Sequence, residues 1–210
     1  MGNNTIRHQI ALAFLIAIAG AGRLSASLNS LVVGNSGELT EPKVTLNPVD
    51  LYIKKDITEA GAITPLIDGN TKVLRGVVSF DANGRLNQNR AVIFDRIQVG
   101  YQTDAAAEKE GDLVYNKAPI GALYNADLVI RQDGRIVFKR NVSSLINEGT
   151  PLSIEDKYAS TDNLRYLRDD EEVEIDLEFA ANVNMPASGD AYQYIMVKLS
   201  GFETQKKELK

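Results

Sequence analysis

The sequence contains no cysteine and no tryptophan, and it has a single histidine, His8. Without cysteine the chain can form neither disulfides nor thiolate metal sites. One histidine argues against histidine-based catalysis and against metal sites built from several histidines. The chain also lacks a nucleophile-elbow serine motif, a phosphate-binding P-loop and a dinucleotide-binding glycine fingerprint. The sequence therefore predicts a protein that is not an enzyme, with no catalytic residue and no cofactor.

Basic residues are in the minority and do not cluster. The 210 residues include 23 lysines and arginines against 28 aspartates and glutamates, which gives a net charge of -5. A nucleic-acid-binding protein needs a basic patch, so we expect no specific nucleic-acid partner. Hydrophobic residues make up 44% and charged residues 24% of the chain, as in ordinary globular proteins. This length suits one domain, or one domain with an appendage.

The longest uncharged stretch is IALAFLIAIAGAG, residues 10–22. As a helix it would be about 20 Å long, which is short of the roughly 30 Å of a bilayer's hydrocarbon core. Arg7, the short apolar stretch and the small residues Ala19-Gly20-Ala21 also fit a secretory signal peptide. A retained structural helix and a signal peptide are therefore the two interpretations of this stretch.

Apolar residues continue past that small-residue site at helical spacing, which favours a retained helix. They follow one another in steps of three and four residues, the spacing that packs helices side by side. Left in water, such a stripe would form the kind of exposed patch that marks an interface. We therefore predict that residues 1–34 form an apolar helical arm whose stripe contacts a neighbouring subunit or a membrane. The residues of this stripe are Ile10, Phe14, Ala17, Ala21, Leu24, Leu28 and Leu31.

The remainder, residues 35–210, is predicted to be a single β domain. Alternating apolar and polar residues, and runs of β-branched residues, indicate strands. Asp133-Gly134 supplies the positive φ angles of a tight hairpin turn. Short helical turns are expected near 118–125 and 161–168. The predicted strands are 49–55, 72–80, 90–101, the two arms of 127–142, 171–179 and 191–202.

The predicted fold class is mainly β: an antiparallel β-sandwich of about eight strands between Val49 and Phe202, with the N-terminal α-helix outside it. The loops are longer than those of immunoglobulin-like domains, which favours a single jelly roll. The predicted core consists of Val78, Ile93, Ile97, Val129, Val137, Val173, Ile175, Leu177, Phe179, Ile195 and Val197.

An acidic run, Asp169-Asp170-Glu171-Glu172, continues in Glu174, Asp176 and Glu178. A calcium or magnesium site needs several oxygens that converge from a loop, and the first three residues could supply them. The EF-hand spacing is absent, however, and the alternating acids are typical of the solvated or partner-facing side of a strand. We predict no metal site, while cation binding by residues 169–178 stays open. A carbohydrate-active or metal-dependent enzyme is the weakest interpretation, because sugar sites use tryptophan platforms.

Three segments in the middle of the chain resemble a known family. They are IFDRIQVGYQ (93–102), PIGALYNADLVI (119–130), and the Asp133-Gly134 hairpin with Arg140-Asn141-Val142. Together they are similar to the coat proteins of tailless bacteriophages with jelly-roll capsids. The resemblance implies a shell protein whose strands stand roughly upright on the capsid surface. In some of these viruses the coat protein's N-terminal helix points toward an internal membrane, although residues 10–22 are more apolar than a helix on lipid headgroups requires.

Two hypotheses of function follow. The first is a structural virion protein: a single jelly-roll coat subunit, located in the virion, that self-assembles through its sandwich flanks and N-terminal helix. Its partners would be neighbouring copies, with other virion proteins or an internal lipid membrane as further candidates. The alternative is an exported bacterial β-sandwich binding or adhesion module, at the cell surface or in the periplasm, with residues 1–21 as its signal peptide.

Overall fold

A computed structural model describes residues 2–34, 42–105, 110–146, 157–181, 183 and 191–207. Within these residues the chain begins with two helices, α1 (Gly2–Gly20) and α2 (Ala26–Val33), and a one-turn helix, α3 (Gly121–Tyr124), follows the third strand. The strands are β1 (Val44–Asp56), β2 (Ile63–Ile67), β3 (Val92–Asp104), β4 (Asp127–Gln132), β5 (Arg135–Asn141), β6 (Ala159–Leu167), β7 (Val173–Glu178) and β8 (Tyr192–Lys206).

The strands form two four-stranded sheets. The first sheet has the order β1-β8-β3-β6 and the second sheet the order β2-β7-β4-β5. All six strand pairings are antiparallel. The predicted mainly β, antiparallel fold with an N-terminal helix is therefore confirmed.

Both sheets contribute side chains to one hydrophobic core. Leu51, Ile97 and Val197 come from the first sheet, and Leu128 and Ile175 from the second. Burial of each such side chain contributes roughly 1.5–3 kcal/mol, so this core holds the two sheets together. All predicted core residues are buried except Val137, which is half-buried and packs against the same core.

Several predicted elements are confirmed. The hairpin turn between β4 and β5 has positive φ at both Asp133 (51°) and Gly134 (67°). In β7, Val173, Ile175 and Leu177 are fully buried, as their alternation with acidic residues predicts. The helical turn expected near 118–125 is α3.

Two of the sequence predictions are wrong. Residues 161–168 were expected to be helical but belong mostly to β6, which pairs with β3. Leu164 and Tyr166 pack on one side of the first sheet and Leu167 on the other, so tertiary packing imposes the strand's two-residue period. Residues 72–80 were expected to be a strand. They turn back at Gly76 and make only isolated bridges, such as Ile53–Val78.

Strand β2 was not predicted, because it has only five residues and contains Pro65. It lies at the edge of the second sheet, where proline is tolerated. Strand β1 is likewise an edge strand, and it runs through Pro48.

Candidate functional site

Helices α1 and α2 cover part of the first sheet on the face that points away from the core. Ala11, Leu15 and Ile18 of α1 are buried against Ile93 and Phe202 of the sheet. We call this second set of buried residues the helix–sheet cluster. Its members are Ala11, Leu15, Ile18, Ala19, Leu24, Leu28, Val32, Val44, Leu46, Ala91, Ile93 and Phe202.

A β-bulge in β3 determines which residues of this strand face the helices. The register of β3 shifts between Phe94 and Arg96 against both of its neighbours. Such a bulge changes which side successive residues face. As a result Ile93 faces the helices, whereas Phe94 and Ile97 both face the core. The extra residue, Asp95, accepts hydrogen bonds from Arg7 of α1.

The start of α1 is fixed by its two basic residues. Arg7 Nε donates to Asp95 Oδ2 at 2.9 Å, and a second guanidinium nitrogen donates to Asp95 Oδ1. The guanidinium also lies 5.6 Å from the centre of the Phe202 ring. His8, the only histidine, packs edge-on against Phe202, and its Nε2 lies 3.2 Å from the carbonyl oxygen of Leu46. These contacts give His8 a structural role.

The end of α1 is a Schellman cap, the arrangement in which a left-handed residue closes a helix. The Gly22 N–H donates to the Ala19 carbonyl at 2.8 Å, and the Arg23 N–H donates to the Ile18 carbonyl at 3.0 Å. Gly22 has a φ of 66°, which glycine adopts without strain. The chain therefore turns sharply here and starts a second helix.

Two neighbouring glycines provide a matched test of this cap. Gly20→Ala lies inside the helix with no atom within 4 Å of the added Cβ, so we expect a stabilisation of up to about 1 kcal/mol. Gly22→Ala also meets no atom, but it forces alanine into a positive φ, so we expect a destabilisation of about 1 kcal/mol or more. Urea unfolding of both variants measures the difference. Equal shifts of the same sign would contradict the cap.

Asp169 joins the helical corner to the sheets. Its side chain is fully buried. Oδ1 accepts from the Ser25 N–H at 3.2 Å, while Oδ2 accepts from Ser25 Oγ at 2.6 Å and from the Asn89 N–H at 2.8 Å. Ser25 Oγ in turn accepts from the Leu28 N–H at 3.1 Å and so caps α2. A single carboxylate therefore holds the N-terminus of α2, the loop before β3 and the turn before β7.

This arrangement gives the acidic run a structural role. Asp169 is satisfied by three donors, Asp170 is exposed, and Glu171 forms an ion pair with Arg168 at 3.3 Å. Within the described part of the chain, no group of three or more histidine, cysteine, aspartate or glutamate residues could hold a metal ion. Asp169 and Glu171 are therefore engaged by neighbouring groups of the chain, and the absence of a metal site in this run stays a prediction.

The acidic side of β7 carries a network of ion pairs on the outside of the second sheet. Arg131 donates to both Asp176 and Glu178. Lys139 Nζ lies 2.6 Å from Glu178 Oε2 and 3.3 Å from Asp127 Oδ2. Hydrogen bonds from Lys139 and Arg131 hold the pKa of Glu178 below its ordinary value. The acids Asp176 and Glu178 of β7 therefore pair with Arg131 of β4 and Lys139 of β5 on the same sheet.

The seven residues of the predicted stripe do not share one face. Leu24 and Leu28 are buried within the chain itself, and Phe14 and Leu31 are half-buried. Ile10 is 53% exposed, and Ala17 and Ala21 are exposed. The helical arm consists of two helices, because the turn at Gly22 and the Ser25 cap divide it. The predicted stripe did not include the residues of α1 that face the sheet, although they too follow one another at helical spacing. These residues are Ala11, Leu15, Ile18 and Ala19.

The other side of α1 is mostly apolar and exposed to solvent, with Gln9 as an exposed polar residue on it. Ile6 and Ile10 are 56% and 53% exposed, and Ala13, Ala17 and Ala21 continue the same side of the helix. These five residues are called the outward face. No charged residue lies between His8 and Arg23. Among the helices that the structure describes, none is both long and apolar enough to cross a membrane.

Comparison of the chain with protein-family models, with curated proteins and with solved structures finds no match.

Proposed function

We propose that the protein is a structural subunit of a virus particle, with a single jelly-roll fold, and that it self-assembles through its sandwich flanks and N-terminal helices. Neighbouring copies are its principal partners. Other virion proteins and an internal lipid membrane are further candidates.

The order of the strands supports the jelly roll. The eight strands divide into sheets of order β1-β8-β3-β6 and β2-β7-β4-β5. Every connection except the β4–β5 hairpin leads from one sheet to the other. An eight-stranded double sheet made of two Greek keys is the jelly-roll architecture, which viral capsid proteins share with lectins and cupins. The fold alone therefore does not identify a coat protein.

The observation that carries the proposal of self-assembly is the outward face of α1. The helix already buries one apolar side against its own sheet, yet the opposite side is also mostly apolar, with Gln9 as its polar residue. A surface helix of a monomeric protein normally has a polar outer side. The alanines permit another backbone to approach closely, so a helix or sheet of a second copy fits this face.

The packing of α1 also favours its retention in the working protein over removal as a signal peptide. Its removal would uncover Ile93, Phe202 and Leu46, which are almost completely buried beneath the helices. An exported module that lost residues 1–21 would expose this apolar patch.

Sedimentation velocity and negative-stain electron microscopy of the purified full-length chain test the proposal. We expect concentration-dependent oligomers and, under favourable ionic conditions, closed shells or flat lattices with regular spacing. A protein that remained monomeric at every concentration and salt condition would contradict the proposed assembly. The mass of the chain in native material would separately show whether α1 is retained.

A further inference from the structure

A second feature of the first sheet lies at the end where β1 and β3 finish and β8 begins. It is an open groove of about 880 Å³ on the outer face of the sheet. Its floor includes Lys54, Gln98, Met196 and Lys198. Residues 113–119 form one wall. This volume is within the range of sites that hold a small molecule or a short peptide.

The wall is held on the sheet by a close approach at Gly100. A Cβ at this position would lie 2.7 Å from Tyr115 Cβ and 2.8 Å from the Tyr115 carbonyl oxygen. Only glycine therefore lets the wall lie flat on β3. The Lys117 N–H also donates to the Tyr101 carbonyl at 3.0 Å, which joins the wall to the strand.

The groove is basic, although the protein as a whole is acidic. Lys54, Lys117, Lys157 and Lys198 line it, and none of the described lining residues carries a carboxylate. Two carboxylates approach from the rim. Asp50 Oδ2 lies 3.6 Å from Lys198 Nζ. Glu110 lies close enough to Tyr115 to add to the effect of burial in raising the pKa of the tyrosine hydroxyl. The groove therefore presents a local excess of positive charge.

Two of the lysines are positioned by tyrosine rings. Lys54 Nζ lies 5.7 Å from the centre of the Tyr115 ring, and Lys198 Nζ lies 5.9 Å from the centre of the Tyr158 ring. Cation–π contacts of this kind limit the motion of an ammonium group. Burial, with the nearby Asp50, raises the pKa of Tyr158 to about 12, so its ring stays neutral at physiological pH.

We propose that this groove binds an acidic, extended segment of a partner protein, with carboxylate side chains at the lysines and apolar side chains against the floor and wall. Met196, Leu113, Val114 and Pro119 provide apolar surface between the charges. An isolated phosphate ion would leave that surface unused. An acidic peptide with alternating apolar residues can contact both the lysines and the apolar surface between them.

Nucleic acid fits the groove less well for two reasons. Lysines lie over the rings of Tyr115 and Tyr158, which reduces the aromatic surface on which bases could stack. A polynucleotide would also extend past the groove onto the surface of a protein with a net charge of -5, which repels a long polyanion. A short acidic segment contacts only the groove.

Fluorescence polarisation with a labelled peptide of alternating glutamate and leucine tests the proposal. We expect the full-length protein to bind this peptide and not its glutamine-for-glutamate counterpart. The double variant Lys54→Gln/Lys198→Gln should weaken binding about tenfold, as expected for the loss of two solvent-accessible charge contacts. The matched variant Lys43→Gln/Lys72→Gln, which removes two exposed lysines outside the groove, should bind as the unaltered protein does.

Three results would overturn the proposal. The first is absence of peptide binding, or equal loss in both double variants while circular dichroism shows that both are folded. The second is tighter, groove-dependent binding of oligothymidylate, which would make the groove a nucleic-acid surface. The third is displacement of the peptide by inorganic phosphate at equal concentration, which would indicate a site for isolated anions.

Discussion

The variant Asp169→Asn is expected to lose about 2 to 4 kcal/mol of the free energy of unfolding. The carboxylate accepts hydrogen bonds from Ser25 N–H, Ser25 Oγ and Asn89 N–H, and it is fully buried. Asparagine is nearly the same size, but it removes the charge and turns one acceptor into a donor that faces other donors. Each hydrogen bond to a buried charge contributes about 1.5–3 kcal/mol, and an unsatisfied donor adds its own cost.

The adjacent Asp170 provides the control for this prediction. It has an exposed side chain and a φ of 59°, which asparagine tolerates as well as aspartate does. Asp170→Asn should therefore change the free energy of unfolding by no more than about 0.5 kcal/mol. Urea denaturation of both variants measures the two values. Equal values would mean that Asp169 does not join the helical corner to the sheets.

The second large effect concerns assembly. The double variant Ile10→Glu/Ala17→Glu places two charges on the outward face of α1 and alters no side chain of the helix–sheet cluster. If this face is buried between copies, each new carboxylate is desolvated without a partner, at a cost of several kcal/mol. We expect a folded protein that no longer forms oligomers.

Two comparisons make this assembly test specific. Ile136→Glu is the matched control, because Ile136 is 58% exposed, close to the 53% of Ile10, and lies beside the β4–β5 turn. It should assemble as the unaltered chain does. Deletion of residues 1–33 is a poorer test, because it also uncovers Ile93 and Phe202 and would cause non-specific aggregation.

Residue patterns predicted most of the fold, because each confirmed element depends on local chemistry. The strict alternation of apolar and acidic residues in β7 is typical of a strand with one buried side. The Asp133-Gly134 pair is typical of a two-residue hairpin turn. Residue patterns gave wrong predictions where contacts between residues far apart in the sequence determine the secondary structure. Residues 161–168 become a strand because β3 offers a free edge, and β2 forms despite Pro65 because it needs hydrogen bonds on one side only.

The candidate site was predicted only in part. Ile10 and Ala17 were correctly placed on a helix, but Leu24 and Leu28 were assigned to the same partner-facing stripe, although they are buried within the chain. The Schellman glycine and the Ser25 cap were visible in the sequence as end and start signals. The Asp169–Ser25 contact joins residues 144 positions apart, so no local pattern could predict it. The lysines of the groove come from four separate segments and were missed for the same reason.

We propose that copies of the chain do not assemble without the contact made by the outward face of α1. Sedimentation velocity of the unaltered chain, Ile10→Glu/Ala17→Glu and Ile136→Glu at equal concentrations tests it most directly. We expect large assemblies for the unaltered chain and for Ile136→Glu, and a folded monomer for the double variant. Assemblies of unchanged size in the double variant would contradict the account, because they would show that copies associate without this face.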